Sequence, residues 1–296
     1  TGQSPDLPAP LRRWQVSGNF SGQAGSLAVT GMQARASQIA LEGDASLQWK
    51  GARPALRFDL VSPHFDLDAF MAAAFPDTGG RNDAPGQPWD LRAMKAFDAE
   101  GVLHVQRLTA WKFNLSSLSV PLKLQEGRLR CDAVRANCYG APLRASVDAR
   151  FDRGLELALD VRANDIDVER ASNDRGGEKA FGGRGSIDLE LRQHMTAGGQ
   201  WASSLNGLWK ISLIKGYMQD RGRDGRRKGT PTPITRCSAS GNIRSGVIRS
   251  SDFFYLGDDL QAQGGGWLHL VRKQLDCNLS VKMGRIPPFP VRVYGP

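Results

Sequence analysis

The chain has 296 residues, of which 40% are hydrophobic and 23% charged, and its formal net charge is +9 at pH 7. This length suffices for one large all-β unit or for two ordinary domains. No apolar run approaches the roughly 20 residues that a membrane-spanning helix needs. The first residues lack the basic start and apolar core of a signal peptide, so we expect any signal or anchor to precede residue 1.

The N-terminal part predicts a series of short strands in which apolar and polar residues alternate. Leu47 and Trp49 share one face, as do Leu56, Phe58 and Leu60, while the polar residues between them face the other way. Such alternation is typical of an antiparallel sheet with one apolar face and one solvent-exposed face. The predicted strands span residues 13–20, 26–31, 33–41, 45–50 and 55–61.

Two short helices and a linker interrupt this pattern. Asp66 is placed to cap a helix within residues 65–75, where apolar side chains recur at helical spacing. Residues 76–86 are rich in proline, glycine and polar side chains, and this composition predicts a linker. Residues 90–97 predict a second short helix.

A second strand series begins at residue 99. Residues 165–172 repeat the earlier step, in which a strand runs into an Asp-apolar-Asp sequence and a short helix. We interpret this as an internal repeat of several hairpins followed by a helical cap. A short amphipathic helix is also predicted over residues 197–205. The predicted strands span residues 99–108, 113–118, 119–125, 127–133, 135–139, 143–151, 155–163, 183–194 and 207–214.

The C-terminal stretch repeats strand-length runs separated by turns that are short enough for hairpins. The runs span residues 234–243, 247–256, 261–271, 275–283 and 290–294. They predict an up-and-down meander built from consecutive neighbours.

The predicted fold class is therefore mainly β. We expect long, curved antiparallel meander sheets, shaped like a half-barrel or groove, with a few short capping helices. The predicted organisation is a β segment with a short helix over residues 1–75, a linker over 76–90 and a C-terminal β region over 91–296. The alternative is one continuous sheet through both β regions.

The densest positive charge lies in one glycine-rich loop. Basic runs of this kind usually lie on the solvated surface of a protein. The more specific alternative is that the loop docks to an anionic membrane surface. Nucleic acid is not an expected partner, because no zinc-finger spacing, recognition helix or aromatic RNA-binding motif accompanies the charge. The basic residues of the loop are Arg221, Arg223, Arg226, Arg227 and Lys228.

The sequence contains no recognisable catalytic or metal-binding pattern. Its four histidines lie in separate segments, and no His-x-x-x-His, Cys-x-x-Cys or Gly-x-Ser-x-Gly spacing occurs. The glycine clusters at 182–185 and 264–266 do not open a helix, so turns or bulges explain them better than phosphate loops. We therefore expect no cofactor and no metal.

The four cysteines have two alternative roles. Cys131 and Cys138 flank a predicted tight hairpin, where their Cα atoms could lie within the roughly 4.4–6.8 Å that a disulfide needs. Cys237 and Cys277 fall in predicted strands that are not neighbours, which disfavours a bridge between them. The alternative for each cysteine is a small apolar residue on the buried face.

Several segments resemble the AsmA-like family. Ser204-Leu-Asn-Gly-Leu-Trp209 resembles the step before the closing strands of these proteins, and residues 125–140 resemble one of their hairpins. Residues 240–253, 261–270 and 290–296 resemble the end of their C-terminal region. The chain departs from the family pattern in its cysteines, which stand where leucines are usual, and in the basic loop.

The resemblance implies a periplasmic protein that is tethered to the bacterial inner membrane by an N-terminal segment absent from this chain. It implies a role in outer-membrane assembly and kinship with bridge-like proteins that carry phospholipid along a β-sheet groove. It implies no enzymatic activity.

An uncovered strip of the apolar face would suit phospholipid or another acyl-chain ligand. Other expected partners are the inner- and outer-membrane surfaces and envelope-assembly proteins. The alternative function is a structural or interaction domain that contacts outer-membrane assembly proteins without binding lipid. The candidate lining residues, each also explained by ordinary core packing, are Leu129, Cys131, Val147, Leu157, Leu159, Phe254, Leu268 and Leu270.

Overall fold

The computed structural model describes residues 2–3, 13–36, 39–74, 94–152, 154–176, 179–196, 201–221 and 227–295. Within them, strands dominate, and the α-helices α1 (Leu67–Ala74) and α2 (Val168–Arg175) are short. The strands are β1 (Gly2–Gln3), β2 (Arg13–Gln23), β3 (Ser26–Ala36), β4 (Ile39–Gln48), β5 (Ala55–Ser62), β6 (Phe65–Asp66), β7 (Asp98–Ala110), β8 (Phe113–Gln125), β9 (Arg128–Cys138), β10 (Ala141–Phe151), β11 (Gly154–Asp167), β12 (Lys179–Thr196), β13 (Leu205–Arg221), β14 (Arg227–Arg244), β15 (Val247–Leu256), β16 (Leu260–His269), β17 (Gln274–Met283) and β18 (Phe289–Gly295).

Most strands pair antiparallel with the next strand in the sequence, as in a meander. This holds from β2 to β5, for β7 with β8, and from β12 to β18. One departure from this order is β7, which pairs parallel with β5 and β6. The chain between β5 and β7 contains α1, and a crossover of this kind is what parallel neighbours require. The predicted mainly β fold class with short capping helices is confirmed.

The chain forms two compact units. Unit 1 comprises Thr1–Asn137, Arg144–Glu156 and Thr196–Gly198, and unit 2 comprises Cys138–Leu143, Leu157–Met195 and Gly199–Pro296. The predicted linker at 76–90 lies outside the described residues. The predicted domain limits stay a prediction.

Both helices begin at the aspartates that the repeated motif predicts. The Asp66 carboxylate accepts a hydrogen bond from the backbone N–H of Ala69 at 2.8 Å. Asp167 caps α2 in the same way and accepts from the N–H of Arg170 at 3.1 Å. A carboxylate at this position satisfies a backbone donor that has no partner within the helix. The repeat of strands followed by an aspartate-capped helix is therefore present in the fold.

The other two predicted helices are smaller than expected. Of residues 90–97, only those from 94 onward are described, and 94 and 95 form part of a 3-10 turn. Of residues 197–205, Trp201–Ser204 form a 3-10 turn and the first four lie outside the described residues.

Several predicted strand breaks were wrong, and a bulge explains the first of them. The predicted break near Gly31 lies inside β3, where the pairing with β4 shifts register between Val29 and Met32. The Asp44 carboxylate accepts a hydrogen bond from the backbone N–H of Gly31 at 2.8 Å. The N–H that the bulge removes from the strand pairing therefore still has a hydrogen-bond partner. Two further breaks were also wrong, since β8 and β9 are each one strand where two were predicted.

The predicted Cys131–Cys138 disulfide was wrong. Both residues lie on the single strand β9, and both thiols are free, as are those of Cys237 and Cys277. A strand rises about 3.3 Å per residue, so residues this far apart on one strand cannot approach each other. Cys131 is buried, and burial raises the pKa of its thiol. It acts as a small apolar core residue, the alternative that the sequence left open.

A clamp from α1 holds the turn between β7 and β8. The Asp68 carboxylate accepts hydrogen bonds from the backbone N–H groups of Trp111 at 2.6 Å and Lys112 at 2.8 Å. Both turn residues have positive φ, 51° and 65°, a conformation that usually selects Asn-Gly. The two hydrogen bonds therefore stabilise a turn that its own residues disfavour.

Replacing Asp68 by alanine is expected to lower the free energy of unfolding by about 1–3 kcal/mol, because two hydrogen bonds to a charged acceptor are lost. Urea denaturation followed by circular dichroism measures the change. Glu42→Ala is the control, since Glu42 is an exposed carboxylate on β4. Equal effects of the two substitutions would show that Asp68 does not hold the turn.

Candidate functional site

The strand register builds one apolar face in unit 1. Residues that face each other across neighbouring strands lie on the same side of a sheet. One such row crosses five strands and consists of Leu27, Leu47, Leu56, Ala99 and Leu124. The next row, two residues further along each strand, consists of Val29, Ala45, Phe58, Gly101 and Leu122. Every residue in both rows is apolar.

Unit 2 has an apolar face of the same kind. One row crosses six strands, β13 to β18, and consists of Leu213, Cys237, Tyr255, Ala262, Val281 and Phe289. A parallel row contains Ile187, Ile211 and Ala239. On β17 the pattern is complete, since every second residue from Leu275 to Met283 is apolar and joins this face.

The opposite face of unit 2 is polar. Arg162 pairs there with Asp188 at 3.2 Å, and Arg292 pairs with Asp276 at 2.8 Å. Leu208 and Trp267 are exposed on this side as well, but each stands between polar cross-strand neighbours, such as Asn242 for Leu208. Their exposure is therefore of the scattered kind that most protein surfaces show.

The apolar faces are incompletely covered. Among the described residues, the largest side chain that is essentially fully buried is that of Ser62, which is 1% exposed. In unit 2, Ile211 and Val293 are each 47% exposed although both belong to the apolar face. A folded domain normally buries such a face against a second layer. Here the described helices are too short to supply that layer.

The described residues provide no sign of catalytic or metal chemistry. No group of three or more His, Cys, Asp or Glu side chains among them is placed to hold a metal ion. None of the helices in the described part of the chain combines the length and apolarity that crossing a membrane requires.

Comparison with known proteins supplies the family. The model of the AsmA family matches residues 11–253, which is most of the chain. The chain belongs to the AsmA family. The resemblance drawn from its motifs is thereby confirmed. No curated protein and no solved structure matches the chain.

AsmA membership sets the broad function. It suggests a role related to assembly of the cell envelope and the outer membrane. Members of the AsmA family are generally not enzymes.

The eight predicted groove residues of this AsmA family chain are distributed over both units. Leu129, Cys131 and Val147 belong to unit 1, and the other five to unit 2. Leu268 lies on the apolar face of unit 2, opposite Ile248 and Leu275. Their contact with lipid stays a prediction.

Phe254 does not belong to the apolar face. It faces Ser238 on one side and Gln263 on the other, whereas Phe253 and Tyr255 face Gly264 and Ala262. The cause is a bulge, since the register of β15 shifts between Ser250 and Phe253. A shift of one residue exchanges the two faces of a strand.

The Asp252 carboxylate stabilises this bulge. It accepts hydrogen bonds from the Ser240 backbone N–H at 2.7 Å, from the Ser240 hydroxyl, and from the Ser250 hydroxyl at 3.0 Å. The hydrogen bonds from Ser240, the hydroxyl first, hold the pKa of Asp252 below its usual range. Asp252 therefore helps to direct Phe253 and Tyr255 to the apolar face.

The contribution of Asp252 to stability is expected to depend on pH. Because its pKa is lowered by folding, the contribution is complete above the unfolded value of about 3.9 and is lost as pH falls through the folded value. Urea denaturation of the wild type and Asp252→Asn at several pH values should show a difference that shrinks in acid. Asp258→Asn, in the next turn, is the control. A difference that stays constant with pH would contradict the assignment.

The predicted membrane-surface loop falls between β13 and β14 in the sequence. Arg221 and Arg227 face each other where β13 ends and β14 begins. Arg223 and Arg226 lie outside the described residues, and the side chains of Arg221, Arg227 and Lys228 are not described. A role in docking to a membrane stays a prediction.

Proposed function

We propose that this AsmA family protein acts in the bacterial periplasm, anchored to the inner membrane, and that it takes part in outer-membrane biogenesis by binding phospholipid acyl chains along its apolar sheet faces. The observation that supports the proposal is the exposure of these faces. Ile211 and Val293 in unit 2 and Phe20 in unit 1 are between 47% and 58% exposed and belong to apolar rows.

The physical argument is the hydrophobic effect. Each methylene removed from water contributes about 0.8 kcal/mol, so a chain of ordinary lipid length could bind without specific polar contacts. Rows of leucine, valine, cysteine and alanine offer such a chain a continuous surface in each unit. A binding surface of this kind needs no catalytic group, which accords with membership in a family that is generally not enzymatic.

The proposal is tested by analysis of bound lipid. The purified chain is extracted with organic solvent, and the extract is examined by mass spectrometry for phospholipid. A delipidated sample is then titrated with phospholipid that carries a fluorescent acyl chain. We expect phospholipid in the extract and saturable uptake by the delipidated protein. A lipid-free preparation that also takes up no labelled lipid would contradict the proposal and favour a structural or interaction domain.

A further inference from the structure

Unit 1 contains an open cleft of about 620 Å³ that is separate from the apolar rows. It lies where β8 runs into β9 and where β10 ends, and Lys95 borders it from the segment before β7. Five cationic and three carboxylate side chains line it, together with Gln125, Gly127 and Phe151. The charged residues are Lys95, Lys123, Arg128, Arg130, Arg150, Asp98, Glu126 and Asp152.

Two of the five cations have carboxylate partners. The Lys95 ammonium lies 2.5 Å from the Asp152 carboxylate. The Arg128 guanidinium donates two hydrogen bonds to Asp148, at 2.9 Å and 2.5 Å. These hydrogen bonds are the main reason why the pKa of Asp148 is lowered. The carboxylates that remain in the cleft are Asp98, which has Arg53 at 3.9 Å, and Glu126.

The other three cations form no salt bridge with any residue that the structure describes. They are Lys123, Arg130 and Arg150, and all three are exposed. Each comes from a different strand, β8, β9 or β10, and strands of one sheet lie about 4.8 Å apart. Carboxylates lie nearby, since the charges of Arg130 and Arg150 help to lower the pKa of Asp148 and Lys123 faces Glu100. The five cations that line the cleft nevertheless outnumber its three carboxylates, and this excess of positive charge attracts an anion.

We propose that this cleft binds a phosphate group. A tetrahedral phosphate presents oxygens in several directions, so it can meet cations that project from three strands. Arginine is the side chain best suited to phosphate, because its planar guanidinium donates two parallel hydrogen bonds. The volume of the cleft lies in the range of pockets for small molecules. The phosphate belongs either to a soluble phosphate ester or to a phospholipid headgroup.

The cleft and the apolar rows are made of different residues. Lys123, for example, faces Glu100, whereas the neighbouring Leu122 and Leu124 belong to the apolar rows. Phosphate binding does not depend on acyl-chain binding. A probe without an acyl chain therefore tests the cleft alone.

The test uses the full chain and two probes. The first is glycerol phosphate, titrated by isothermal calorimetry. The second is a set of vesicles of phosphatidylglycerol, with phosphatidylcholine vesicles for comparison, assayed by flotation. The variant carries Lys123→Gln, Arg130→Gln and Arg150→Gln. The matched control carries Arg107→Gln, Arg135→Gln and Arg144→Gln, which remove the same charge from exposed positions of unit 1 outside the cleft.

We expect the cleft variant to bind the phosphate probe at least about tenfold more weakly than the wild type, while the control stays within about twofold. Binding of glycerol phosphate without retention on vesicles would assign the site to a soluble ester. If the protein floats with phosphatidylglycerol vesicles and glycerol phosphate releases it from them, the site binds a phospholipid headgroup. Absence of saturable binding to either probe, or equal losses in both variants, would overturn the proposal. Circular dichroism of both variants confirms folding.

Discussion

Replacing Ile211 by aspartate is expected to weaken acyl-chain binding at least about tenfold. Ile211 lies on the apolar face of unit 2 between Ile187 and Ala239, and 47% of its surface is exposed. An acyl chain on this face would have to displace water from the carboxylate, and an unpaired charge is costly to desolvate. Aspartate is too short to extend its charge away from the face, as lysine would do. Titration with a fluorescent-acyl phospholipid measures the loss.

The matched control is Leu208→Asp. Leu208 lies three residues away on the same strand, is 57% exposed, and faces the polar side opposite Glu190 and Asn242. We expect its affinity for the lipid to stay within about twofold of the wild type. If the two variants lost affinity equally, binding would not depend on the apolar face.

Replacing Gly241 by alanine is expected to lower the free energy of unfolding by about 3 kcal/mol. Gly241 lies on β14 between Trp209 and Ser250, next to the bulge of β15. A Cβ atom at this position would lie 1.7 Å from the backbone oxygen of Arg249. Backbone atoms cannot rotate away as the end of a side chain can, so the pairing of β14 with β15 would have to shift.

Gly295→Ala in β18 is the control for this substitution. A Cβ at Gly295 would meet no atom within 4 Å, so we expect little change in stability. Thermal and urea denaturation of both variants measure the difference. A Gly241→Ala protein as stable as Gly295→Ala would show that the strands are not so close at this point.

The alternation of apolar and polar residues made much of the C-terminal sheet predictable. The predicted strand over residues 247–256 coincides with β15, and the strand predicted over 275–283 differs from β17 by one residue. Short polar turns between such runs leave a hairpin as the simplest connection. Asp66 and Asp167 were likewise informative, because a carboxylate at the first position before a helix is a local signal for its start.

Bulges account for two of the differences between the prediction and the structure. The predicted break near Gly31 was wrong, because a bulge held by the Asp44 carboxylate from β4 keeps the strand paired. Phe254 was named as a candidate lining residue, and the bulge held by Asp252 places it on the other face of the sheet. Both corrections depend on contacts with a neighbouring strand, which sequence periodicity does not reveal.

The basic cleft was not predictable for a related reason. Lys123, Arg130 and Arg150 are single charges in three different strands, and no local run marks them. The sequence instead predicted a basic site in the run from Arg221 to Lys228, because charge that is dense along the chain can be read from a sequence. A cluster of charges from different strands can be predicted only when the pairing of those strands is known.

The central claim, that acyl chains bind the apolar face of the sheet, is tested most directly by tryptophan quenching. Trp209 belongs to the apolar side of unit 2, whereas Trp267 faces Arg249 and Asp276 on the polar side. Two variants each retain one of these residues as the only tryptophan, with phenylalanine at the others, and are titrated with phospholipid brominated on its acyl chains. We predict strong quenching of Trp209 and little quenching of Trp267. Equal quenching of both, or quenching of Trp267 alone, would contradict the claim.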